Sequence, residues 1–183
     1  FATADYTYDK KYTFSASVRR DAPSQVPKAS RNNIFYAVAG SWNIIAEKFM
    51  LRQNIFQDAR VRVSYGETAN ANGFTSNFGY ISTYGPLGSG YAGVPAIVPT
   101  SPGNQDYKLE SQLQTNIGLE LGMWNRRARV TLDYYIKDSR NLFVDQNLSR
   151  TTGFASLSTN AAKMRNQGFE FSANVDVVAK NDL

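Results

Sequence analysis

Residues 116–137, which read NIGLELGMWNRRARVTLDYYIK, decide the fold class of this chain. Apolar side chains fall on every second position before the segment WNRR, and the same alternation resumes on the other side of it. A period of two is that of a β-strand, because successive side chains of a strand point to opposite faces. The stretch therefore predicts a β-hairpin with a tight turn at MWNRR, one apolar face and one charged face.

The same alternation recurs in the segments ATADYTY, KYTFSASVRR, NIFYAVAGSW, RVRVSYG and QGFEFSANVDVV, so we expect about seven antiparallel strands. The apolar faces are expected to carry Ile117, Leu119, Leu121, Val130, Leu132, Phe169 and Phe171. The opposite faces are expected to carry the charged residues Arg60, Arg62, Glu120, Arg127, Arg129, Asp133 and Glu170. Apart from one or two helical turns within residues 44–56, the prediction is an all-β chain.

Two kinds of surroundings suit a sheet with such faces. In a soluble β-sandwich the apolar faces pack on a second sheet and the charged faces meet water. In a transmembrane barrel the apolar faces meet lipid and the charged faces line a wet lumen. Sandwich strands are usually about 5–6 residues long, whereas a tilted strand needs about 9–11 residues to cross a bilayer. The pattern persists over residues 112–123 and 127–137, which favours the barrel.

The predicted connections alternate in length. The short turns are residues 9–11 and 123–126, the long connections are residues 21–32, 67–107 and 141–165, and residues 43–58 are intermediate. Because alternate connections of an up-and-down sheet lie at the same end, we expect tight turns at one end and long loops at the other, as in outer-membrane barrels. Trp42 and Trp124 fall near strand ends, where aromatic residues of such barrels lie at the membrane interfaces.

Composition argues against several classes of function. The 183-residue chain has a net charge of +5 and contains neither cysteine nor histidine, which leaves no thiol chemistry, no usual zinc ligand set and no histidine-based catalysis. Its basic residues are spread along the sequence rather than gathered, which speaks against nucleic-acid binding. The segment GPLGSG at residues 85–90 lacks the strand-to-helix context of a phosphate-binding loop. We predict no enzyme, no cofactor and no metal site.

Several stretches carry a family resemblance in the same order. They are KYTFSASVRRDAPSQV (11–26), RNNIFYAVAGSWNIIAEKFM (31–50), VRVSYGETAN (61–70), YKLESQLQTNIGLELGMWNRRARVTLDYYIKDSRNLF (107–143) and GFASLSTNAAKMRNQGFEF (153–171). Together they resemble the SusC/RagA family of TonB-dependent outer-membrane transporters of Bacteroidetes, over about residues 12–178. That family has a strand that ends in Gly-Trp-x-Ile with a following Glu-x-Phe, which matches GSWNIIAEKF here.

The resemblance implies that residues 1–183 belong to the C-terminal β-barrel domain, and we expect no plug domain and no TonB box within them. Seven strands are fewer than the even number, at least about eight, of a complete bacterial barrel, so we expect a segment of a larger one. The implied location is the outer membrane of a Gram-negative bacterium. The implied activity is TonB-energised uptake of a glycan or peptide. The implied partners are a SusD-like lipoprotein lid, TonB acting through an N-terminal region, and membrane lipid.

In this interpretation residues 67–107 form an extracellular loop. Its aromatic residues are expected to contact substrate or lid, and they are Phe74, Phe78, Tyr80, Tyr84 and Tyr91. The alternative is that these rings only anchor the loop to itself or to its neighbours. Likewise, the lumenal charges either contact plug or substrate, or form ladders of opposite charge across the strands.

Two other classes of protein stay open on the sequence alone. One is a passive porin or adhesin barrel without a plug. The other is a soluble, secreted carbohydrate-binding β-sandwich. The sequence does not identify the substrate, the total number of strands or the oligomeric state.

Overall fold

The computed structural model describes residues 1–70, 77–88 and 90–177 and shows an all-β chain. The strands are β1 (Ala2–Tyr8), β2 (Tyr12–Asp21), β3 (Asn33–Asn43), β4 (Phe56–Asn70), β5 (Thr83–Leu87), β6 (Ala96–Ser101), β7 (Glu110–Met123), β8 (Ala128–Asn147) and β9 (Ser156–Val175). Seven strands form one antiparallel sheet in the order β1-β2-β3-β4-β7-β8-β9, and β5 pairs with β6 separately. No helix among these residues is long and apolar enough to span a bilayer.

The seven-stranded sheet confirms the predicted strand number, but one predicted loop is wrong. Residues 141–165 do not form a long loop, because β8 and β9 are 20 residues each and only residues 148–155 connect them. The register shifts between Ser139 and Val144, and Asn141 has a φ of +55°. Such bulges interrupt the period of two. The alternation therefore did not predict that β8 and β9 continue beyond the bulge.

The separate hairpin of β5 and β6 lies within the segment that was predicted as a structureless loop. Each of its strands contains a proline, Pro86 in β5 and Pro99 in β6. Proline demotes a run of residues as a strand candidate, so the hairpin gave no clear signal. Of the helical turns predicted within residues 44–56, the structure has one short 3₁₀ turn, Ile44–Ala46.

Cross-strand register places the predicted apolar residues on one face of the sheet. The direct pairs are Leu119–Leu132, Leu121–Val130, Val63–Ile117, Leu132–Phe171 and Tyr134–Phe169. Residues directly opposite each other in an antiparallel pair share a face, so these pairs define one continuous apolar surface. That surface is open: Phe169 is 85% exposed and Phe171 69%. A patch of this extent indicates a non-aqueous partner for the face.

The connections sort to the two ends of the sheet. Residues 9–11, 44–55 and 124–127 lie at one end, which we call the short-turn end. Residues 22–32, the segment between β4 and β7, and residues 148–155 lie at the other, which we call the long-loop end. The predicted asymmetry between tight turns and long loops is present in four of the six connections, whereas residues 44–55 at the short-turn end form a longer connection than residues 148–155 at the long-loop end.

The buried core among the described residues lies at the long-loop end. Val26, from the connection between β2 and β3, packs with Phe35 of β3 and with Tyr107 and Leu109, which precede β7. The ring of Phe143 packs 4.6 Å from that of Tyr107. The sheet itself adds little to this core, so its stability in isolation depends on what covers the apolar face.

Candidate functional site

Arg62 of β4 is the centre of a charged group on the polar face of the sheet. Its Nη2 atom lies 3.2 Å from Oε1 of Glu120 in β7 and 3.4 Å from Oδ1 of Asp133 in β8. The three side chains thus link three adjacent strands across one face. Arg62 is partly exposed, so each pair contributes little to stability, about 0.2–1 kcal/mol.

Beside Arg62, a hollow of about 210 Å³ opens on the same face. Its walls include small or polar side chains, namely Thr13, Ser15, Ala39, Ser41, Ser64 and Asn116. Two buried atoms, Nε of Arg62 and Oδ1 of Asn116, have no hydrogen-bond partner within the described ranges. One is a donor and the other an acceptor, but both are buried, so an occupant of the hollow would meet them only after the two side chains change conformation.

Gly118 keeps this hollow open. A Cβ atom at position 118 would lie 2.5 Å from Oδ1 of Asp133 and 3.1 Å from Nη2 of Arg62. Any larger side chain would therefore occupy the space in which the ion pair forms.

A second hollow, of about 250 Å³, lies nearer the short-turn end. Charged side chains from three strands line it, namely Asp58 and Arg60 of β4, Glu120 of β7 and Arg129 of β8. Arg60 stands directly opposite Glu120, and Arg129 stands opposite Gly122. The polar face is therefore mixed in charge along its length, as expected for a wet surface.

The register places six of the seven predicted polar residues on this face, namely Arg60, Arg62, Glu120, Arg129, Asp133 and Glu170. Arg127 was predicted to begin the strand, but it lies in the turn between Met123 and Ala128, so the register places it on neither face and its contact with the lumen stays a prediction. The turn has the predicted four residues but lies one position later, at residues 124–127, and Trp124, Asn125 and Arg126 within it all adopt positive φ. Contact of these charges with plug or substrate stays a prediction.

The turn at residues 124–127 is attached to the start of β4. Arg126 forms an ion pair with Asp58 at 3.2 Å, and the amide of Asn125 donates to Oε1 of Gln57 across 2.9 Å. The ring of Trp124 projects from this turn and is 62% exposed. Its placement at a membrane interface stays a prediction, and the geometry suits it.

Trp42, the other predicted interface residue, belongs to a polar cluster at the short-turn end. The hydroxyl of Tyr12 donates to Oε1 of Glu47 across 2.6 Å, and Nε1 of Trp42 donates to the same oxygen across 3.3 Å. The two rings stack with their centroids 6.4 Å apart. Nζ of Lys11 lies 3.6 Å from Oε2 of Glu47. These contacts bring together Trp42 and Glu47, which are five residues apart in the sequence.

Glu47 is held in its charged form by these neighbours. The hydrogen bond from Tyr12 lowers the pKa of the Glu47 carboxyl most. Loss of solvation raises this pKa by less than Tyr12 lowers it, and the bond from Trp42 and the charge of Lys11 lower it further. Conversely, Asp9 first and then Glu47 raise the pKa of Lys11.

Glu110, at the start of β7, is a buried carboxylate that the sequence analysis missed. It is 7% exposed, its Oε2 accepts from Nδ2 of Asn70 across 2.8 Å, and its Oε1 accepts from the amide of Phe143 across 3.0 Å. It therefore ties the long-loop ends of β4, β7 and β8 together. A signal was present, because Glu110 is an acid among uncharged residues in the strand sequence ESQLQTNIGL.

Asparagines attach the segment before β7 to β9. Nδ2 of Asn104 donates to the carbonyl of Ser158 across 2.9 Å, and Asn160 bonds both the amide and the carbonyl of Lys108. The loop that carries the predicted aromatic contacts is therefore held at its base.

The predicted loop aromatics fall into two groups. Tyr80 packs on the buried core, and Nη2 of Arg31 lies 3.5 Å from its hydroxyl, so this ring anchors the loop. Phe78 is half-exposed and meets Tyr80 edge to face. Tyr84 and Tyr91 are 68% and 95% exposed. Phe74 lies outside the described residues. Contact with substrate or lid stays a prediction.

The described residues contain no group of three or more histidine, cysteine, aspartate or glutamate side chains that could hold a metal ion.

Comparison with known proteins identifies the family. Residues 1–180 match the family described as TonB dependent receptor-like, beta-barrel. The chain belongs to this family. It is 31% identical over 172 residues to TonB-dependent receptor P39 of Formosa agariphila, covering 94% of this chain and 16% of that protein. It is 28% identical over 190 residues to TonB-dependent receptor SusC of Bacteroides thetaiotaomicron, covering 100% of this chain and 19% of that one.

Solved structures of the RagAB peptide importer match the sheet closely. The RagAB peptide importer in its closed-closed state matches with a TM-score of 0.88 and 27% identity, over 98% of this chain and 20% of that one. The RagAB peptide transporter matches with a TM-score of 0.87, also at 27% identity, over 97% and 19%. The resemblance to SusC/RagA and the barrel-type antiparallel fold are thereby confirmed. The chain spans at most about a fifth of the length of these relatives.

Proposed function

We propose that this chain forms part of the wall of an outer-membrane barrel that imports peptide or glycan with energy from TonB. The observation that carries the proposal is the two-faced seven-stranded sheet in a chain of the TonB-dependent receptor-like family. In this proposal β1 and β9 pair with further strands of the barrel, because an open sheet edge is not tolerated in hydrocarbon.

The apolar face is the lipid-facing surface of the wall. Leu119, Leu132 and Phe171 lie side by side at its centre, and Phe171 is 69% exposed in the chain alone. Lipid removes such surface from water at about 25 cal/mol per Å². The strands reach the length that a bilayer requires, which a soluble sandwich strand seldom does.

The polar face is the wall of the lumen. Its hollow beside Arg62 holds one unpaired donor, Nε of Arg62, and one unpaired acceptor, Oδ1 of Asn116. A backbone amide presents both complementary groups, so a segment of the plug or of a peptide substrate would satisfy the pair once the two buried side chains turn toward the hollow. The similarity to a RagAB peptide importer supports a peptide as the first substrate class to test.

The long-loop end is the outer, substrate-capturing side. Tyr84 and Tyr91 project from the β5–β6 region, whereas the base of the same segment is fixed by Asn104 and by the buried Tyr107. Rigid, exposed aromatic rings on an anchored base suit a contact with substrate or with a SusD-like lid.

Uptake by cells that carry the full-length protein tests the proposal. We expect labelled oligopeptide or oligosaccharide to enter only when TonB is present, and a surface lipoprotein to co-purify with the protein in detergent. Uptake that continues without TonB would favour a passive porin. A full-length protein that stays in solution without detergent would favour the β-sandwich.

The loop contact has a matched control. The double change Tyr84→Ala and Tyr91→Ala should lower uptake and lipoprotein co-purification at an unchanged amount of protein in the membrane. Tyr8→Ala removes a tyrosine that is 61% exposed at the short-turn end, and it should leave both readouts unchanged. Equal effects of the two changes would contradict a special function of the loop.

A further inference from the structure

A basic hollow lies on the apolar face where that face becomes charged. Along β8 the residues of this face run from Ala128 to Ile136 and then continue as Asp138 and Arg140. On β9 the change falls at the same height, since Asp138 stands opposite Arg165, whereas β7 places the uncharged Leu113 and Ser111 opposite Asp138 and Arg140. The change from apolar to charged residues is therefore made by β8 and β9.

The point along β8 at which the face becomes charged matches the edge of the apolar layer of a membrane. Ala128 to Ile136 is nine residues. At about 3.3 Å per residue and a tilt of about 40°, that stretch rises about 20 Å, close to the apolar band of about 25 Å on outer-membrane barrels. Arg140 lies four residues beyond Ile136 on the same face of β8. The charged residues thus lie at headgroup level on the long-loop side.

The charge of the hollow is unbalanced. Arg140, Lys163 and Arg165 line a space of about 580 Å³ together with a single carboxylate, Asp138. Asp138 is already used by Arg165, whose Nη2 lies 2.9 Å from Oδ2. Arg140 and Lys163 are exposed and form no ion pair within the described ranges.

We infer that this hollow binds the phosphate of an outer-leaflet lipid. The inference rests on the proposed function, since it requires the apolar face to meet lipid. A guanidinium and an ammonium group side by side are suited to a phosphate. Just below them Ile136, Tyr134 and the exposed Phe169 offer an apolar surface for an acyl chain. A solvated ladder of ion pairs would instead place an acid beside each base, which this hollow lacks.

Native mass spectrometry of the full-length protein in detergent tests the inference. The probes are monophosphoryl lipid A and its dephosphorylated form. Each basic residue near a charged lipid surface contributes about 1 kcal/mol, so Lys163→Gln should weaken binding of the phosphorylated lipid about fivefold and Arg140→Gln with Lys163→Gln about 30-fold. Arg150→Gln removes an exposed charge at the tip of the same hairpin and should have no effect.

Several outcomes would overturn the inference. They are unchanged binding in the double variant, equal binding of the phosphorylated and dephosphorylated lipids by the unmodified protein, and displacement of the lipid by millimolar inorganic phosphate alone, which would indicate a free-anion site. The comparison of the two lipids needs no variant, so a folding defect does not obscure the result.

The two proposals fail in different ways. A protein that imports its substrate but retains lipid equally in all variants overturns only the phosphate site. A full-length protein that is soluble without detergent overturns both.

Discussion

Gly118 and Asp133 stand directly opposite each other in the β7–β8 pair, and a Cβ atom at position 118 would lie 2.5 Å from Oδ1 of Asp133. The absent side chain is what allows Asp133 to reach Arg62. We expect Gly118→Ala to displace the carboxylate and weaken the ion pair by about 0.2–1 kcal/mol. The free energy of unfolding in urea, measured on the full-length protein in detergent, tests this.

Gly40→Ala is the matched control for that change. A Cβ atom at position 40 would meet only the backbone oxygen of Thr13, at 4.0 Å. Both substitutions restrict the unfolded chain alike, so their difference isolates the contact with Asp133. If the two variants have the same stability, Gly118 is not what permits the ion pair.

Arginine substitutions at adjacent residues distinguish the two faces of the sheet. Leu132 lies between Leu119 and Phe171 on the apolar face. Leu132→Arg should cost about 2–4 kcal/mol if the residue lies near the middle of the bilayer. Thr131→Arg, on the opposite face beside Glu120, should cost clearly less. Urea unfolding of both variants in lipid vesicles gives the two values.

Thr131 is a better control here than Gly122, because a Cβ atom at Gly122 would come within 3.1 Å of the side chain of Asp58. Gly122→Arg would therefore combine a steric effect with the change of face. Equal tolerance of arginine at positions 131 and 132 would show that the assignment of lipid and lumen faces is wrong.

The sharing of faces was predictable because side-chain direction in a strand is a local property of the chain. The alternation alone places Leu119 with Leu132, and Arg62 with Asp133, without knowledge of the register. The lengths of the strands were less predictable. The bulge at Asn141 interrupts the alternation, so the sequence did not show that β8 extends well beyond Lys137.

The alternation of apolar and polar residues did not predict contacts between segments that are distant in the sequence. Glu47 and Tyr12 are 35 residues apart, and Glu110 and Phe143 are 33 apart. Whether such groups meet depends on strand order and loop path, which the period of two does not contain. The resemblance placed Trp42 and Glu47 in one family motif, but only the fold shows that they are hydrogen-bonded and that Tyr12 completes the cluster.

Acid should weaken the cluster at the short-turn end. The hydrogen bond from Tyr12, and next that from Trp42, hold the pKa of Glu47 below its ordinary value. The unfolded chain binds its proton at a pKa of about 4.3, so the stabilisation is complete above about pH 5–6 and is lost as the pH falls through the lower folded-state pKa. Glu47→Gln should remove this dependence, and the two proteins should converge in acid.

Fluorescence of Trp42 reports on this cluster directly, in a full-length protein in which Trp124 and every tryptophan outside residues 1–183 are changed to Phe. We expect the emission of the parent protein to shift on acidification and that of the Glu47→Gln variant to stay constant. Glu67→Gln, on β4, removes a carboxylate away from Trp42 and serves as the control. A variant that shifts in acid as the parent does would place the titrating group elsewhere.

Loss of the Glu110 carboxylate should loosen the long-loop end. Its two oxygens accept from the side-chain amide of Asn70 and from the backbone amide of Phe143. Glu110→Ala removes both acceptors in a buried site, at a cost of about 1–3 kcal/mol. Glu110→Gln keeps one carbonyl oxygen and should lie between. Hydrogen exchange at the Phe143 amide is the local readout, and urea unfolding is the global one.

The exchange rate of the Phe143 amide is compared between the parent protein, Glu110→Gln and Glu110→Ala. Phe143 packs on Tyr107 at 4.6 Å, so faster exchange at its amide would show that Glu110 orders the base of the loops at the long-loop end as well as the strand. Exchange at Phe143 that is equal in the parent and in Glu110→Ala, with a lower overall stability, would show instead that Glu110 acts only through Asn70 and the β4–β7 pair.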